Sequence, residues 1–475
     1  MPPVQEVDIG SLPLERFRPA IGDKRMAAVE VVAAWARTGF SKIRVWNVNS
    51  TATGGGVAEI LYSILPYARD AGVDARWLVI EGDPEFYALT KRIHNGLHGL
   101  LAQGEEPGEA DHPHYAAVSA FNAVELRRFI RPGDLVLLHD PQTAGLVSAM
   151  VELGALVIWR CHIGHDDQQG VISQTWEFLR RYVGSAHGYV FSRDAYAPPW
   201  IDRSRTFTVA PSIDPFSSKN YEIPRATVHA ILRHVGLVNA GHSDTEPIFR
   251  RHNGAEAVVR SRAEIVSNSQ VPGFDTPLVV QVSRWDRLKD MAGVMQGFAA
   301  HLNGVADAHL ALVGPDVSGV SDDPEGAVVL AECIAAWKAL PPAKRARVHL
   351  VSLPMQDIEE NAAIVNAIQR HAAVVVQKSL YEGFGLTVTE AMWKGRPIVA
   401  SRVGGIQDQI KSGIHGLLID DPKNLKQFGD ALQRMLGARD LARRLGRNAR
   451  RRAIVHFLGV RHLIQYVDIF RKLTG

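Results

Sequence analysis

Short, nearly continuous apolar runs alternate with stretches of helical spacing, and the alternation occurs twice along the chain. In the first half, Lys42–Val48 reads as a strand that runs into the glycine loop Gly54-Gly55-Gly56. Val57, Ile60, Leu61, Ile64, Leu65 and Ala68 then recur at helical spacing, and Gly72 stands where a helix-ending glycine belongs. Val73–Ile80 completes a βαβ unit, and Asp134–Leu138, Ala155–Trp159, Gly188–Phe191 and Thr206–Val209 are further strands. The pattern restarts at Pro277–Val282 and continues through His309–Val313, Val348–Val351, Ala372–Val376 and Pro397–Ala400. Apolar strands separated by helices predict parallel sheets covered on both faces, an α/β class with two Rossmann-like domains.

Between the halves, Ser217–Gly273 is polar and lacks a clear period, including Arg250-Arg251-His252-Asn253-Gly254. It reads as a linker with some helix. The expected division is residues 1–215 as an N-terminal domain, with helix 458–475 packing back on it, and 216–457 as a C-terminal domain. The tail from Lys423 is helical, and its Arg443, Arg444, Arg447, Arg450, Arg451 and Arg452 read as a solvated helix face.

A length of 475 residues suits about three domains or two large ones, and 46% hydrophobic residues supply a sizeable core. Lys and Arg number 53 against 50 acidic residues, a formal charge of +3. That balance argues against nucleic acid as a partner and leaves small phosphorylated ligands. The two cysteines, Cys161 and Cys333, make neither a metal spacing nor a disulfide framework. No early apolar segment reads as a signal peptide, and runs such as Leu135–Leu138 and Ala372–Val376 are too short for a bilayer. The expectation is a cytoplasmic protein with no membrane partner.

The densest chemistry lies in Tyr381-Glu382-Gly383-Phe384-Gly385-Leu386-Thr387-Val388-Thr389-Glu390-Ala391-Met392. This segment follows a buried strand and turns into a helix that Gly395 and Pro397 end. Amides around Gly385–Thr387, at the positive end of the helix dipole, form an anion site suited to a diphosphate. Glu390 is expected two turns inside the helix, about 12 Å along the chain from Glu382. That spacing is too long for a carboxylate pair acting on one bond and suits a long ligand gripped at two points. A solvent-facing Glu382 and a helix-face Glu390 in an ordinary α/β unit account for the spacing equally well.

A second segment, Val282-Ser283-Arg284-Trp285-Asp286-Arg287-Leu288-Lys289-Asp290, follows the first strand of the second half. Arg284 as a planar fork and Lys289 as a point charge can neutralise phosphates whose charge grows as a sugar–phosphate bond breaks. Taken alone, these cations read more simply as surface ion pairs with Asp286 and Asp290.

Together these motifs, with the early glycine loop, Val403-Gly404-Gly405-Ile406 and His415-Gly416-Leu417-Leu418, resemble family-4 retaining glycosyltransferases of the GT-B fold. The resemblance implies that Glu390 holds the nucleotide ribose and that Glu382 contacts the transferred sugar. It implies that Arg284 and Lys289 bind the diphosphate, and that the Gly55 and Gly56 amides close over it from the other domain. Gly383, Phe384, Gly385, Leu386 and Thr387 complete the implied donor site. A narrower likeness rests on His139-Asp140-Pro141-Gln142, Trp159-Arg160-Cys161-His162-Ile163-Gly164 and Ala210-Pro211-Ser212-Ile213-Asp214-Pro215. These look like trehalose-forming glycosyltransferases, which couple nucleoside-diphosphate-glucose to glucose, and the related trehalose phosphorylases. By that likeness Asp140, Gln142 and His162 line the acceptor side, and His162 joins Glu382, Arg284 and Lys289 in catalysis.

Gly164-His165-Asp166 resembles the phosphorylase branch as much as the synthase branch, so glucose 1-phosphate remains a second donor and another sugar acceptor a third reading. The implied co-substrate is a nucleotide-sugar, with no tightly bound cofactor and no metal, and a homodimer is left open. The chain has no Asp-x-Asp, so Arg284, Lys289 and helix amides would balance the leaving charge. Front-face transfer, with the leaving phosphate deprotonating the acceptor, follows from retention without an evident nucleophile. Two other classes stand beside this. Gly54-x-Gly56 with Glu81 suggests a nicotinamide-dinucleotide fold, but Glu59 replaces the third glycine. A non-enzymatic nucleotide-sugar sensor on the same fold is the other, and the presence of the phosphate cations and both glutamates argues against such decay of the site. His139 and His162 read by default as structural hydrogen-bonders, and Trp46 and Trp176 as core aromatics.

Overall fold

The computed structural model describes residues 3–53, 55–239, 241, 245–267, 271–302, 307–317 and 324–474. The chain forms two units, Met1–Ile213 with Phe457–Gly475, and Asp214–His456.

The first unit is built on seven strands: β1 (Gln5–Glu6), β2 (Arg44–Asn49), β3 (Asp74–Val79), β4 (Leu135–His139), β5 (Leu156–Cys161), β6 (Gly188–Phe191) and β7 (Thr206–Thr208). Their order is β1-β3-β2-β4-β5-β6-β7, with only β1 antiparallel to its neighbour. The alternation of side chains along a strand gives each face its own core. Trp46, Val48, Val136, Leu138, Val157 and Trp159 pack on one side. Val45, Leu135, Leu137, Ile158 and Val190 pack on the other, beneath Tyr466, Val467, Ile469 and Phe470 of the helix Gly459–Thr474. Phe457 and Gly459 pin the start of that helix to Ile213 by backbone bonds of 2.9 and 3.2 Å. Trp46 and Trp176 are each 1% exposed, so both are core residues.

The second unit carries β8 (Ile248–Arg250), β9 (Glu256–Val258), β10 (Glu264–Val266), β11 (Leu278–Val282), β12 (His309–Pro315), β13 (Val348–Leu353), β14 (Val374–Gln377), β15 (Ile398–Ser401) and β16 (Leu417–Ile419). Its main sheet runs β10-β13-β12-β11-β14-β15-β16, and β8 and β9 make a separate hairpin. All its neighbours are parallel except β10 against β13.

The described residues of Ser217–Gly273 contain the expected helix, but strands stand where a linker was expected. They form the helix Arg225–His234, the β8–β9 hairpin and the edge strand β10. Each of these three-residue strands carries a charged residue, Arg250, Glu256 or Glu264, and shows no apolar run, which is why the sequence pattern misses them. Arg251 holds the hairpin turn against the helix Ile358–His371 through Asp357 at 2.5 Å and Glu359 at 3.1 Å. Glu360 accepts the Arg260 and Ser261 amides at 3.0 and 2.7 Å.

In each unit the strand order reverses at one place. In the second unit this lies between β11 and β14, and in the first between β2 and β4. Ligands of open α/β sheets bind beyond the carboxyl ends of the strands at such a switch point. The residues that follow Val282 and Gln377, and those that follow Asn49 and His139, are thus placed where chemistry is expected.

Candidate active site

At the switch point of the second unit, the turn after β11 carries Arg284 and Lys289, and the loop after β14 carries Glu382. Lys289 Nζ donates to Glu382 Oε2 at 2.8 Å, with both side chains more than four-fifths buried. Ser379 Oγ lies 3.2 Å from the same oxygen and Gln377 Nε2 3.4 Å from it. Thr387 Oγ1 donates to Gln377 Oε1 at 2.9 Å and so orients that amide. The lysine is held from behind as well, because Gln281 Nε2 donates to the Lys289 carbonyl at 2.7 Å and Gln281 Oε1 accepts the Lys378 amide at 3.0 Å. Asp290 pairs with buried Lys378 rather than Lys289, and at φ +48° it caps the next helix by accepting the Gly293 amide at 3.1 Å. Arg284, with its side chain 57% exposed, pairs with Asp286 at 3.1 Å.

Gly385 opens the helix Leu386–Trp393 in the left-handed region at φ +86°, a conformation that costs any other residue more. The helix begins later than its apolar pattern suggests, so Glu390 stands about one turn inside it rather than two. Gly383 and Phe384 are clamped by the following loop. The Gly405 amide donates to the Gly383 carbonyl at 3.1 Å, and a Cβ on Gly405 would come within 2.7 Å of Phe384 Cα. That close approach explains the second glycine of Val403-Gly404-Gly405. Glu390 is buried in a network of its own, accepting Gln369 Nε2 at 3.1 Å with Lys219 Nζ at 3.6 Å. Lys394 Nζ bonds Gln369 Oε1 at 2.7 Å and Asn220 Oδ1 at 3.0 Å, and burial pulls its pKa down to about 7.

The first unit assembles a different kind of cluster. Asp140, directly after β4, has φ +63° and ψ 179°, a backbone conformation that is strained for a residue with a side chain. Its Oδ1 accepts the His162 amide at 2.7 Å, which ties the ends of β4 and β5 together. Burial pushes its carboxyl up to about 7, against the opposing pull of the Arg160 guanidinium. The His139 and His162 rings stack at 5.4 Å between centroids, with His139 Nδ1 3.1 Å from His162 Nε2 and His139 Nε2 3.0 Å from Asn47 Oδ1. Burial, with Arg160 adding, holds both imidazoles neutral, His139 down to about 3 and His162 well below the ordinary range. Cys161 is buried and turns its thiol to the Ile163 carbonyl at 3.2 Å, so it takes no part beside His162. Gln142 is partly exposed in the short helix Pro141–Leu146 that Asp140 leads into. Gly55, at φ +80°, caps the helix that starts at Gly56, while Gly54 lies outside the described residues.

Sequence reasoning passed over several members of these clusters. Gln377 and Asn47 are polar residues in otherwise apolar strands, and Arg160 is a charged one, fully buried. An ionic or amide side chain in a strand core is itself a signal, because burial without partners is costly.

Residues 47–198 match the trehalose synthase N-terminal domain, and residues 357–452 match the glycosyl transferases group 1 domain. The chain is 33% identical to a trehalose synthase of Pyrococcus horikoshii over 99% of both chains. The chain belongs to the trehalose synthase family. A trehalose phosphorylase of Pleurotus pulmonarius is more distant, at 24% identity over 85% of this chain and 54% of its own. Among solved structures, an α,α-trehalose 6-phosphate synthase of Burkholderia multivorans superposes with a TM-score of 0.61 at 16% identity, covering 91% of this chain and 99% of that one. That likeness establishes the GT-B fold, and the family establishes a hexosyltransferase. No helix among the described residues is long and apolar enough to cross a membrane.

Proposed function

We propose that the chain transfers a glucosyl unit, with retention, from a nucleoside-diphosphate-glucose to the anomeric hydroxyl of glucose, forming trehalose reversibly. The bond from the glucosyl anomeric carbon to phosphate oxygen breaks, and a bond to the acceptor oxygen forms. The acceptor proton passes to the leaving diphosphate. The observation that carries this reading is the Lys289–Glu382 pair at the switch point, beside Arg284 and the glycine-opened helix. Cations and helix amides meet the diphosphate there, where its charge grows most in the transition state.

In this reading Lys289 leaves Glu382 for the diphosphate when the donor arrives, and Glu382 turns to hydroxyls of the transferred sugar. Glu390 takes the ribose, and Gly383, Phe384, Gly385, Leu386 and Thr387 shape the floor. The first unit serves the acceptor. Asp140 and Gln142 bind glucose hydroxyls and neutral His162 offers a hydrogen bond at the reacting sugar, while the Gly55 and Gly56 amides are assigned to the donor diphosphate. The substrates are small molecules, and the base of the donor is the open variable.

The test is to incubate the purified protein with glucose and ADP-, UDP- or GDP-glucose. Trehalose appearing one-for-one with nucleoside diphosphate supports the proposal and ranks the donors. Trehalose formed only from glucose 1-phosphate and glucose would move the chain to the phosphorylase reaction. A product with inverted anomeric configuration would overturn retention.

A further inference from the structure

The cluster around Glu390 holds a buried lysine that the reaction above does not use. Lys394 follows the helix Leu386–Trp393, one turn beyond Glu390, and its amide donates to the Glu390 carbonyl at 3.1 Å. Both side chains are buried on the same face of that turn. Lys394 Nζ nevertheless meets two neutral amides, Gln369 Oε1 at 2.7 Å and Asn220 Oδ1 at 3.0 Å. Gln369, near the end of the helix Ile358–His371, in turn donates from Nε2 to Glu390 Oε2 at 3.1 Å.

Chemistry fixes the direction of this series from both ends. A lysine nitrogen donates to an amide oxygen, and a carboxylate only accepts. The Gln369 side chain therefore turns its oxygen to Lys394 and its N–H to Glu390. The reversed amide would set like groups against each other at both contacts. Asn220 is settled in the same way, because its Nδ2 donates to the Asp214 carbonyl at 3.1 Å and leaves Oδ1 for the lysine. Trp393 Nε1 and Arg370 Nη2 each donate to the Asn220 carbonyl at 2.9 Å, so the lysine rests on a fixed support.

Glu390 is thus held by one oxygen. Its Oε1 faces Lys219 Nζ at 3.6 Å, beyond hydrogen-bond length. A carboxylate that can accept about four hydrogen bonds accepts one here among the described residues. Buried and with spare acceptor capacity, it suits a ligand that brings hydroxyl donors. We infer that Lys394, acting through Gln369, is a positioning residue that holds Glu390 by Oε2 and presents Oε1 to the vicinal hydroxyls of the donor's ribose. This rests on the proposed placement of the nucleotide at Glu390.

The test is calorimetric binding of ADP, UDP or GDP, whichever binds most tightly, against its 2′,3′-dideoxy analogue. The wild type should prefer the ribose form about 10- to 100-fold, the value of hydroxyl contacts to a charged acceptor. Lys394→Met keeps much of the side chain and removes the donor, which lets the Gln369 amide turn. The preference should then fall below about threefold. An undiminished preference, even with both ligands weakened alike, would overturn the inference and leave Lys394 a structural residue. If that variant does not fold, Gln369→Asn takes its place with the same expected loss, because the shorter side chain cannot span Lys394 and Glu390. Glu390→Gln separates this inference from the reading beneath it. A preference kept in that variant, or absent from the wild type, would remove the ribose from Glu390 and the inference with it. A preference lost in Glu390→Gln but kept in Lys394→Met would strike the positioning alone.

Discussion

The two switch points solve different problems with the same topology. In the second unit the candidate groups are ionic and paired, Lys289 with Glu382 and Arg284 with Asp286. In the first they are a strained carboxyl and two imidazoles held neutral by burial around one guanidinium. A diphosphate needs countercharge that strengthens as the leaving group forms, and exposed or exchangeable ion pairs can release it. A glucose molecule is neutral and presents hydroxyls, so it needs fixed donors and acceptors of settled protonation. Charge on one side and orientation on the other is the division expected of a transferase with one anionic and one neutral substrate.

The largest effect expected on breaking that division comes from Lys289→Ala. Turnover should fall about 10²- to 10³-fold with the fold intact by circular dichroism, the size seen when one transition-state donor is lost. A loss confined to the glucose KM would place the lysine on the wrong substrate.

Asp140→Asn sharpens the other half. The folded carboxyl sits near 7 against an ordinary 3.8, so it is protonated in the fold at pH 5 and ionised at pH 8. Wild-type kcat/KM for glucose should rise through about pH 7, and the variant should lose that step and fall about tenfold at pH 8. The sign for stability is opposite. A raised carboxyl pKa means that ionisation disfavours the folded state, and this cost grows as pH climbs from 3.8 to about 7. In thermal unfolding the variant should therefore gain on the wild type at pH 8 and not at pH 4.

The smallest effect is expected from Gly385→Ala. A side chain at φ +86° costs about 1 kcal/mol, and its Cβ would sit 3.1 Å from Glu382 Cγ. Donor KM should rise several-fold with a modest fall in melting temperature and no change in glucose KM.

How far the sequence announces all this depends on the length of the periodic signal. Long apolar strands flanked by helices, such as β4 and β13, are legible, because parallel sheets bury both faces and leave runs of Val, Leu and Ile. The three-residue strands β8, β9, β10 and β16 are not, because their form comes from edge pairing and from ion pairs such as Arg251–Asp357 that only folding assembles. The clusters behave similarly. Glu382 and Lys289 stand in segments of dense chemistry, yet 93 residues separate them and only the strand order brings them to 2.8 Å. Arg160 lies in the Trp159–Gly164 segment, yet Tyr466, which accepts its hydrogen bond, is 306 residues away.

Calorimetric binding of a nucleoside diphosphate, free of any catalytic step, tests the division of labour most directly. Lys289→Ala should weaken binding about 10- to 100-fold, the cost of a lost charge-assisted contact, while Asp140→Asn should bind as the wild type does. Undiminished affinity in Lys289→Ala, or a loss of equal size in Asp140→Asn, would contradict the assignment of the donor to the second unit's switch point.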